Sequence, residues 1–420
     1  MVSNALYPDR IALLYKDMLI GFVFLFFMFQ EDSGHMLHRI REQIGHATFA
    51  LALFFLFICL GQIFNPHSPG LVLGMLGFKN YFLGWLLLPM AYAYIDNPES
   101  VRKFFAIQVL FSIPVNIFGI YQFFAGPEFL VRHFGGAYEG AMFHAAVEGQ
   151  TTYTRILGTF ASTGQYSNFL QANAMFCFAL ILTAKTSKDR ILWTFCQVLN
   201  LLAIMGAGSR GAVVILGICL ITLGLIAKGK RPFIASALIA GIIFYFGFNW
   251  LGHGVADRFK TLKNINMVKE RTYETTGGIF IQQLNEYPMG KGLGSASTGA
   301  RHLQMTMPSK KRQSWVLVEN FPAKLQVETG IVGVCVFFLF LFLLLSRWRN
   351  YWMPYLQFEE NQIGLPLSAY VLTNLAVLSF FGILDTPPGY LYLWTVMGMI
   401  IKLVDLSEAE TSSQYPAMAA

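Results

Sequence analysis

The sequence predicts an all-α polytopic membrane protein with about 11–12 transmembrane helices and one large, partly helical outer loop. Three observations predict this class. Hydrophobic residues make up 55% of the chain and charged residues only 13%, whereas a soluble domain carries about 25% charged residues. Apolar runs of roughly 20 residues, the length that spans a bilayer, recur along the chain. Basic residues cluster in every second connection between these runs.

The apolar runs define roughly eleven candidate spans, of which the first is interrupted by Lys16 and Asp17 and is the weakest. Segment 68–78, "SPGLVLGMLGF", is too short to span, and we expect it to be re-entrant or interfacial. The candidate spans are 11–30, 46–64, 80–96, 102–124, 165–184, 190–208, 211–228, 232–251, 324–346, 363–384 and 389–405.

The basic clusters set a consistent orientation, because all of them face the cytoplasm if the spans simply alternate. The clusters are Arg39 and Arg41; Arg102 and Lys103; Lys185, Lys188 and Arg190; Lys228, Lys230 and Arg231; and Arg347 and Arg349. The remaining connections then face outward, namely 65–79, 125–164, 209–210, 252–323 and 385–388.

This orientation predicts four regions and places the C-terminal tail, which is polar and expected to be disordered, in the cytoplasm. The regions are an N-terminal transmembrane bundle at 1–251 with outer loop 125–164, a large outer loop at 252–323, C-terminal helices at 324–405, and a tail at 406–420.

The large outer loop is expected to be ordered in part. Its residues Ile279, Phe280, Ile281, Leu284 and Tyr287 recur with the spacing of a short amphipathic helix. The stretch "YPMGKGLG" that follows has the composition of a turn.

The net charge of +7 indicates contact with anions. Basic loops first suggest anchoring to anionic membrane lipids, and secondly a site for an anionic substrate. Nucleic acid is excluded as a partner, because the chain has no separate basic soluble domain.

One arginine interrupts an apolar stretch, "AGSRGAVVILG" at 207–217. A charge inside hydrocarbon costs several kcal/mol, but the predicted topology places Arg210 at the outer junction of two spans. It is either an interfacial arginine whose head group reaches water or a ligand for an anion. Arg271 and Arg155 are outward as well, and two or three such arginines suit a lipid-linked pyrophosphate, which they bind in bidentate fashion.

Two acids lie near the end of the large loop. Glu319, followed by Asn320, precedes an outer-to-inner span, where it is either a solvated carboxylate or a general base for a sugar hydroxyl. Glu328 lies inside that span, and an intramembrane acid indicates either a functional group or a structural partner.

The remaining reactive residue types give weaker predictions. The cysteines lie inside apolar runs and are expected to be buried and inert, and the outward histidines lack ligand spacing, so we expect no metal site and no cofactor. Tyr273 and Tyr287 are candidates to stack on sugar rings, although the aromatic belt of a membrane protein explains such residues equally well. The cysteines are Cys59, Cys177, Cys196, Cys219 and Cys335, and the histidines His133, His144, His253 and His302.

Four segments, in order, resemble the O-antigen ligase and O-antigen polymerase superfamily. They are "RILGTFASTGQYSNFLQAN", "GSRGA" opening a span, "YPMGKGLGS" in the large loop, and "ENFPAKLQVETGIVG" entering the next span. The resemblance covers about residues 150–345. It implies a helical, metal-independent glycosyltransferase of the GT-C-like type in the bacterial inner membrane, with its active site on the periplasmic side.

The resemblance also implies the partners. The donor would be an oligosaccharide on undecaprenyl pyrophosphate, and the acceptor a glycan or lipid A–core, in the synthesis of lipopolysaccharide or exopolysaccharide. A chain-length regulator protein is a further partner compatible with this activity. In the family, the arginine of the "SRG" segment and one of the large loop bind the pyrophosphate, which carries over to Arg210 and Arg271.

One departure from the pattern favours the polymerase branch. Ligases carry a His-Asn pair before the span that follows the large loop, and this sequence has Glu319 and Asn320 there. We therefore expect an inverting polysaccharide polymerase in which Glu319, Arg210 and Arg271 are catalytic and Arg155, Asn320, Tyr273 and Tyr287 bind substrate. The alternatives are an O-antigen ligase and, from another class, a lipid-linked glycan flippase.

Overall fold

A computed structural model describes residues 10–134, 155–160, 162–226, 241, 245, 277–296, 316, 318, 320–357, 362–377 and 388–414. Within these ranges the regular structure is entirely helical, and no strand occurs. Six of the described helices are long and apolar enough to cross a membrane. The protein is therefore an all-α polytopic membrane protein, as the composition predicts.

The helices are named in chain order. They are α1 Arg10–Met28, α2 Ser33–Ile44, α3 His46–Ile63, α4 Leu71–Tyr94, α5 Pro98–Phe134, α6 Thr163–Leu182, α7 Ser187–Ala207, α8 Arg210–Ile226, α9 Ile279–Glu286, α10 Phe321–Arg347, α11 Met353–Leu356, α12 Gly364–Ala376 and α13 Gly389–Gln414. One turn of π-helix, Trp348–Trp352, joins α10 to α11. Most of the predicted span 232–251 lies outside the described residues.

The chain divides into two compact units that do not follow chain order. The first unit comprises residues 1–22, 95–264 and 356–373, and the second comprises 23–94, 265–355 and 374–420. Helices α5 to α8 belong to the first unit, and α3, α4, α9, α10 and α13 to the second.

In the first unit, α6 packs against α5, α7 and α8 and is buried along most of its length. Amide side chains tie these helices together. Asn116 of α5 donates to Asn200 of α7 at 2.8 Å, and the hydroxyl of Tyr166 donates to Asn116 at 3.4 Å. Such bonds hold helices together in hydrocarbon, where the hydrophobic effect between them is weak.

The two ends of the first unit carry different contacts. At one end, Arg102 lies 3.7 Å from Asp189 and Lys185 lies 3.3 Å from Glu99. At the opposite end of α7, Arg155 bonds the helix terminus. Two of the predicted cytoplasmic clusters thus share one end, and two of the predicted outer connections share the other.

In the second unit, the observed extent of α4 differs from the prediction for segment 68–78. Segment 68–78 is not a separate re-entrant or interfacial piece, because a single helix runs from Leu71 to Tyr94. Its early glycines permit close packing. A Cβ at Gly74 would lie 3.2 Å from Ile63, and one at Gly77 only 2.5 Å from the backbone nitrogen of Gly294. Gly74 therefore permits close contact with α3, and Gly77 with the backbone at Gly294.

The C-terminal tail also differs from expectation. The segment beginning at 406 is predicted to be disordered, yet α13 continues as helix to Gln414. Side-chain bonds explain the order, because Glu408 accepts from Gln43 at 2.6 Å and from the hydroxyl of Tyr351 at 2.7 Å.

Asp405 anchors α13 to α2 and α4. It lies 2.5 Å from Arg39 and accepts a 2.6 Å bond from the hydroxyl of Tyr92. Burial opposes the charge of Arg39, but Asp405 outweighs this effect and raises the pKa of the guanidinium above its ordinary value. The ion pair between Arg39 and Asp405 thus joins the predicted cytoplasmic ends of α2 and α13.

We expect Asp405→Asn to lower the free energy of unfolding by about 2 kcal/mol, between the values typical of exposed and buried ion pairs. The reason is that Arg39 would keep its charge while losing the shorter of its two ion pairs among the described residues and retaining only Glu42, at 3.4 Å. Thermal unfolding of the purified protein in detergent measures the change, with Glu410→Gln, at an exposed acid on the same helix, as the control. Equal stability of the two variants would contradict the assignment.

Candidate functional site

The "GSRG" motif forms a tight turn between α7 and α8. Gly208 ends α7 in the left-handed conformation, with φ 59° and ψ 29°, which glycine adopts without strain. The side chain of Ser209 accepts a long, 3.4 Å bond from the amide of Ala212, as a helix N-cap does. Arg210 is then the first residue of α8 and is partly exposed.

Arg155 lies at the same turn. Its Nε donates to the carbonyl of Ala207 at 3.2 Å, and the next amide, of Ile156, donates to Gly206 at 3.3 Å. A Cβ at Gly206 would lie 2.9 Å from the side chain of Ile156. The absence of a side chain at Gly206 therefore leaves room for the segment that carries Arg155 and Ile156. The structure thus brings two of the three predicted arginines, Arg155 and Arg210, to one end of the first unit.

The turn is electrostatically suited to an anion. The start of a helix presents backbone N–H groups and the positive end of its dipole, and Arg210 adds a guanidinium there. Arg155 adds a second guanidinium, which is bonded to the carbonyl of Ala207 at the end of α7. A phosphate or diphosphate group fits this combination, since arginine binds such groups in bidentate fashion.

In the second unit, residues 288–296 form a loop, here called the glycine loop, that lies against α10. The amide of Lys291 donates to Val327 at 2.6 Å, and the amide of Ile331 donates to Pro288 at 2.9 Å. Between these two bonds α10 is broken at Gly330, with φ 71°. The loop therefore satisfies backbone groups that the break exposes.

Alternate glycines make this fit necessary. Gly290, Gly292 and Gly294 all have positive φ, between 83° and 95°. A Cβ at Gly290 would lie 2.6 Å from the nitrogen of Gly330, and one at Gly294 would collide with the carbonyl of Leu73. The sequence "GKGLG" is thus explained by backbone conformation and by close contact together.

Glu328 binds this loop from α10. Its side chain is fully buried, and one carboxylate oxygen accepts the amides of Gly294 at 3.0 Å and Ala296 at 3.2 Å. The other oxygen accepts the hydroxyl of Tyr81 at 2.8 Å. Amides of a glycine-rich segment commonly hold an anion, and here these two hold the chain's own carboxylate. Glu328 was interpreted either as a functional group or as a structural partner. These contacts are those of a structural partner.

Asn320 begins α10. Its side chain accepts a 2.9 Å bond from the amide of Ala323 and is 3% exposed, so its observed contact is that of a helix cap. The predicted site residues Glu319, Arg271 and Tyr273 lie outside the described residues.

Tyr287 follows α9 and is partly exposed. The ammonium of Lys291 lies 5.1 Å from its ring centre, and the ring of His67 meets it edge-on at 5.3 Å. His67 and Lys291 are site neighbours that the sequence pattern did not single out.

The amphipathic helix predicted in the large loop is confirmed as α9, but its buried face is different. Gln283 is only 5% exposed, whereas Ile281 is 54% exposed.

Comparisons with known proteins add no identity to this geometry: no family model matches the chain, and no curated protein matches it. The resemblance of the four motifs therefore stays a prediction. Among the residues that the structure describes, no group of three or more His, Cys, Asp or Glu side chains is placed to hold a metal ion.

Proposed function

We propose that the protein is a polysaccharide polymerase that transfers a glycan from undecaprenyl pyrophosphate to a sugar hydroxyl on the periplasmic face of the bacterial inner membrane. The observation that carries the proposal is the pair of arginines at the α7–α8 turn. Arg155 binds the last turn of α7 and Arg210 opens α8. This arrangement suits a membrane-bound diphosphate better than it suits a lone interfacial charge.

The proposed reaction is a single inverting displacement. Glu319 takes the proton of the acceptor hydroxyl, and the oxygen attacks the anomeric carbon of the donor from the side opposite the diphosphate. The bond from that carbon to the phosphate oxygen breaks, and undecaprenyl pyrophosphate leaves. Arg210 and Arg271 stabilise the charge on the departing group, which is electrostatic catalysis by donors fixed in advance.

Tyr287 and Asn320 would bind the acceptor. Tyr287 is a partly exposed aromatic residue of the kind on which a sugar stacks, and Asn320, which caps α10, directly follows the proposed base in the sequence. The glycine loop packs against residues 327–331 of the same helix, α10.

Incubation of the purified protein with a lipid-linked repeat unit, with and without lipid A–core, tests the proposal. A ladder of products without core identifies a polymerase. Products that depend strictly on core identify the ligase instead. Absence of glycan transfer under both conditions, with an intact donor, would reject the glycosyltransferase.

Glu319→Gln is expected to lower the turnover number by about 100-fold or more, because general-base catalysis contributes about 10²–10⁴-fold. Donor affinity should change little, because the arginines remain. Steady-state kinetics with the lipid-linked donor measures both quantities. Glu286→Gln, at an exposed acid of α9, is the matched control, and unchanged turnover in Glu319→Gln would move the base elsewhere.

A lipid-linked glycan flippase is the second candidate, and one observation favours it. Helix α10 is broken at Gly330 and carries the buried side chains of Lys324 and Glu328, and discontinuous helices with polar groups mark many transporter sites. Loss of all surface glycan in cells lacking the protein, with precursor accumulating inside, would favour the flippase. Loss of only the long banded polysaccharide on gels would favour the polymerase.

A further inference from the structure

We propose that Gln122 is a positioning residue that holds Arg155 against the α7–α8 turn. The inference rests on the proposed function, because it takes Arg155 to bind the diphosphate of the donor. Gln122 lies on α5, about one turn before the break in that helix at Gly126, where φ is 80°. Its side chain is fully buried, so it acts through the backbone that it binds rather than by contact with a ligand.

The amide side chain of Gln122 makes three bonds to one short segment. Its Oε1 accepts the backbone amides of Leu157 at 3.1 Å and Gly158 at 2.9 Å. Its Nε2 donates to the carbonyl of Gly158 at 2.7 Å. Both bound residues are buried and lie outside any helix, where backbone groups need partners of this kind. One side chain that satisfies three such groups fixes the place of the segment.

The ring of Tyr166 holds the same segment from α6. A Cβ at Gly158 would lie 2.8 Å from that ring, and one at Gly119 of α5 would collide with its hydroxyl. Gly158 also has φ 56°, a conformation that glycine adopts without strain. Tyr166 therefore packs closely against both the segment and α5, and it leaves the segment little room to move away from Gln122.

This segment carries Arg155 to the end of α7. The amide of Ile156, directly before the residues that Gln122 binds, donates to a carbonyl in the last turn of α7 at 3.3 Å. The Nε of Arg155 donates to the carbonyl of Ala207 at 3.2 Å. Arg210 begins α8 three residues after Ala207. Gln122 thus fixes the backbone of Arg155 relative to the start of α8, where we propose that the diphosphate binds.

Hydrogen exchange of Gln122→Met tests whether the side chain holds the segment. Methionine is an unbranched chain of similar length, but its thioether donates no hydrogen bond and accepts only weakly. We expect the amides of Leu157 and Gly158 to exchange at least about tenfold faster, since each loses its bond to Gln122. The amide of Ile156 should exchange faster as well, because the constraint extends to it.

Transfer kinetics of the same variant test whether the hold matters for the donor. A group that binds substrate and transition state equally affects KM and leaves turnover unchanged. Gln122→Met should therefore raise the KM for the lipid-linked donor about tenfold, with the turnover number within about threefold of the original. A loss of folded protein would instead lower the apparent turnover number and leave KM unchanged. Ser112→Ala is the control, because Ser112 is equally buried on α5 and its hydroxyl bonds within that helix.

A double-mutant cycle with Arg155→Ala tests whether Gln122 acts through Arg155. In the Arg155→Ala background, Gln122→Met should change the KM by less than about twofold, because the guanidinium that it would displace is already absent. Equal factors in the two backgrounds would overturn the inference. So would an unchanged KM in Gln122→Met, or unchanged exchange at Leu157 and Gly158.

Gln122→Asn replaces Gln122→Met if the methionine variant does not fold. Asparagine keeps the amide but withdraws it by one methylene, so exchange and KM should change in the same directions, and unchanged values would again reject the inference. Hydrogen exchange needs no activity, so failure of the proposed function is recognised separately. If the unaltered protein transfers no glycan, the role of Arg155 in donor binding falls, and the hold of Gln122 on the segment is still judged from exchange.

Discussion

Arg210→Ala is expected to lower glycan transfer by about 100–1000-fold, the typical cost of removing one donor that stabilises a developing negative charge. Arg210 is the first residue of α8 and follows a turn defined by Gly208 and Ser209. Alanine is compatible with that helix position, so the variant should fold and insert. Turnover with a lipid-linked donor measures the loss.

A second substitution tests the geometry of the charge. Arg210→Lys keeps the charge but not the bidentate fork, so its activity should lie between those of the alanine variant and the unaltered protein. Arg190→Ala, at an exposed arginine near the other end of α7, should transfer glycan normally. Near-normal activity of Arg210→Ala would contradict the assignment of Arg210 to pyrophosphate binding. Arg210 would then be an interfacial arginine.

Gly294→Ala is expected to have the largest effect on folding. The residue has φ 84°, and an added Cβ would collide with the carbonyl of Leu73 at the start of α4. The backbone strain alone costs about 1–3 kcal/mol, and the collision adds to it because both atoms belong to packed backbone. The melting temperature in detergent and the yield of monodisperse protein should both fall clearly.

Gly61→Ala is the matched control for this change. It lies in the same unit, within α3, and an added Cβ there meets no atom within 4 Å. Alanine in a helix should be neutral or stabilising by about 0.5–1 kcal/mol. Equal stability of Gly294→Ala and Gly61→Ala would mean that the loop is not packed against α4 as described.

Structural features that depend on neighbouring residues in the chain were predictable from the sequence. The apolar runs, the alternation of basic connections and the helix at α9 depend on residues near one another in the chain. The polar turn at "YPMGKGLG" was predictable as well, because glycine and proline have local conformational preferences. These preferences do not predict which surface of the protein the turn packs against.

Contacts between distant segments were not predictable. Tyr81 and Glu328 are 247 positions apart, and no periodicity links them. Likewise, Arg155 and the end of α7 are separated by 52 positions, so their meeting required the fold. The order of the tail was missed for the same reason, since Glu408 in the tail is bonded to Gln43 of α2.

The ion pair between Arg39 and Asp405 has a consequence for biosynthesis. Its partners are 366 residues apart, and at synthesis rates of about 5–20 residues per second the second is made roughly 20–70 s after the first. Until Asp405 is made, Arg39, and Tyr92 once it has been synthesised, lack this carboxylate partner in the nascent chain. The contacts that complete the second unit can therefore form only after α13 has been synthesised. A chain that terminates before α13 lacks these contacts, and its Arg39 and Tyr92 groups would be exposed to membrane quality control.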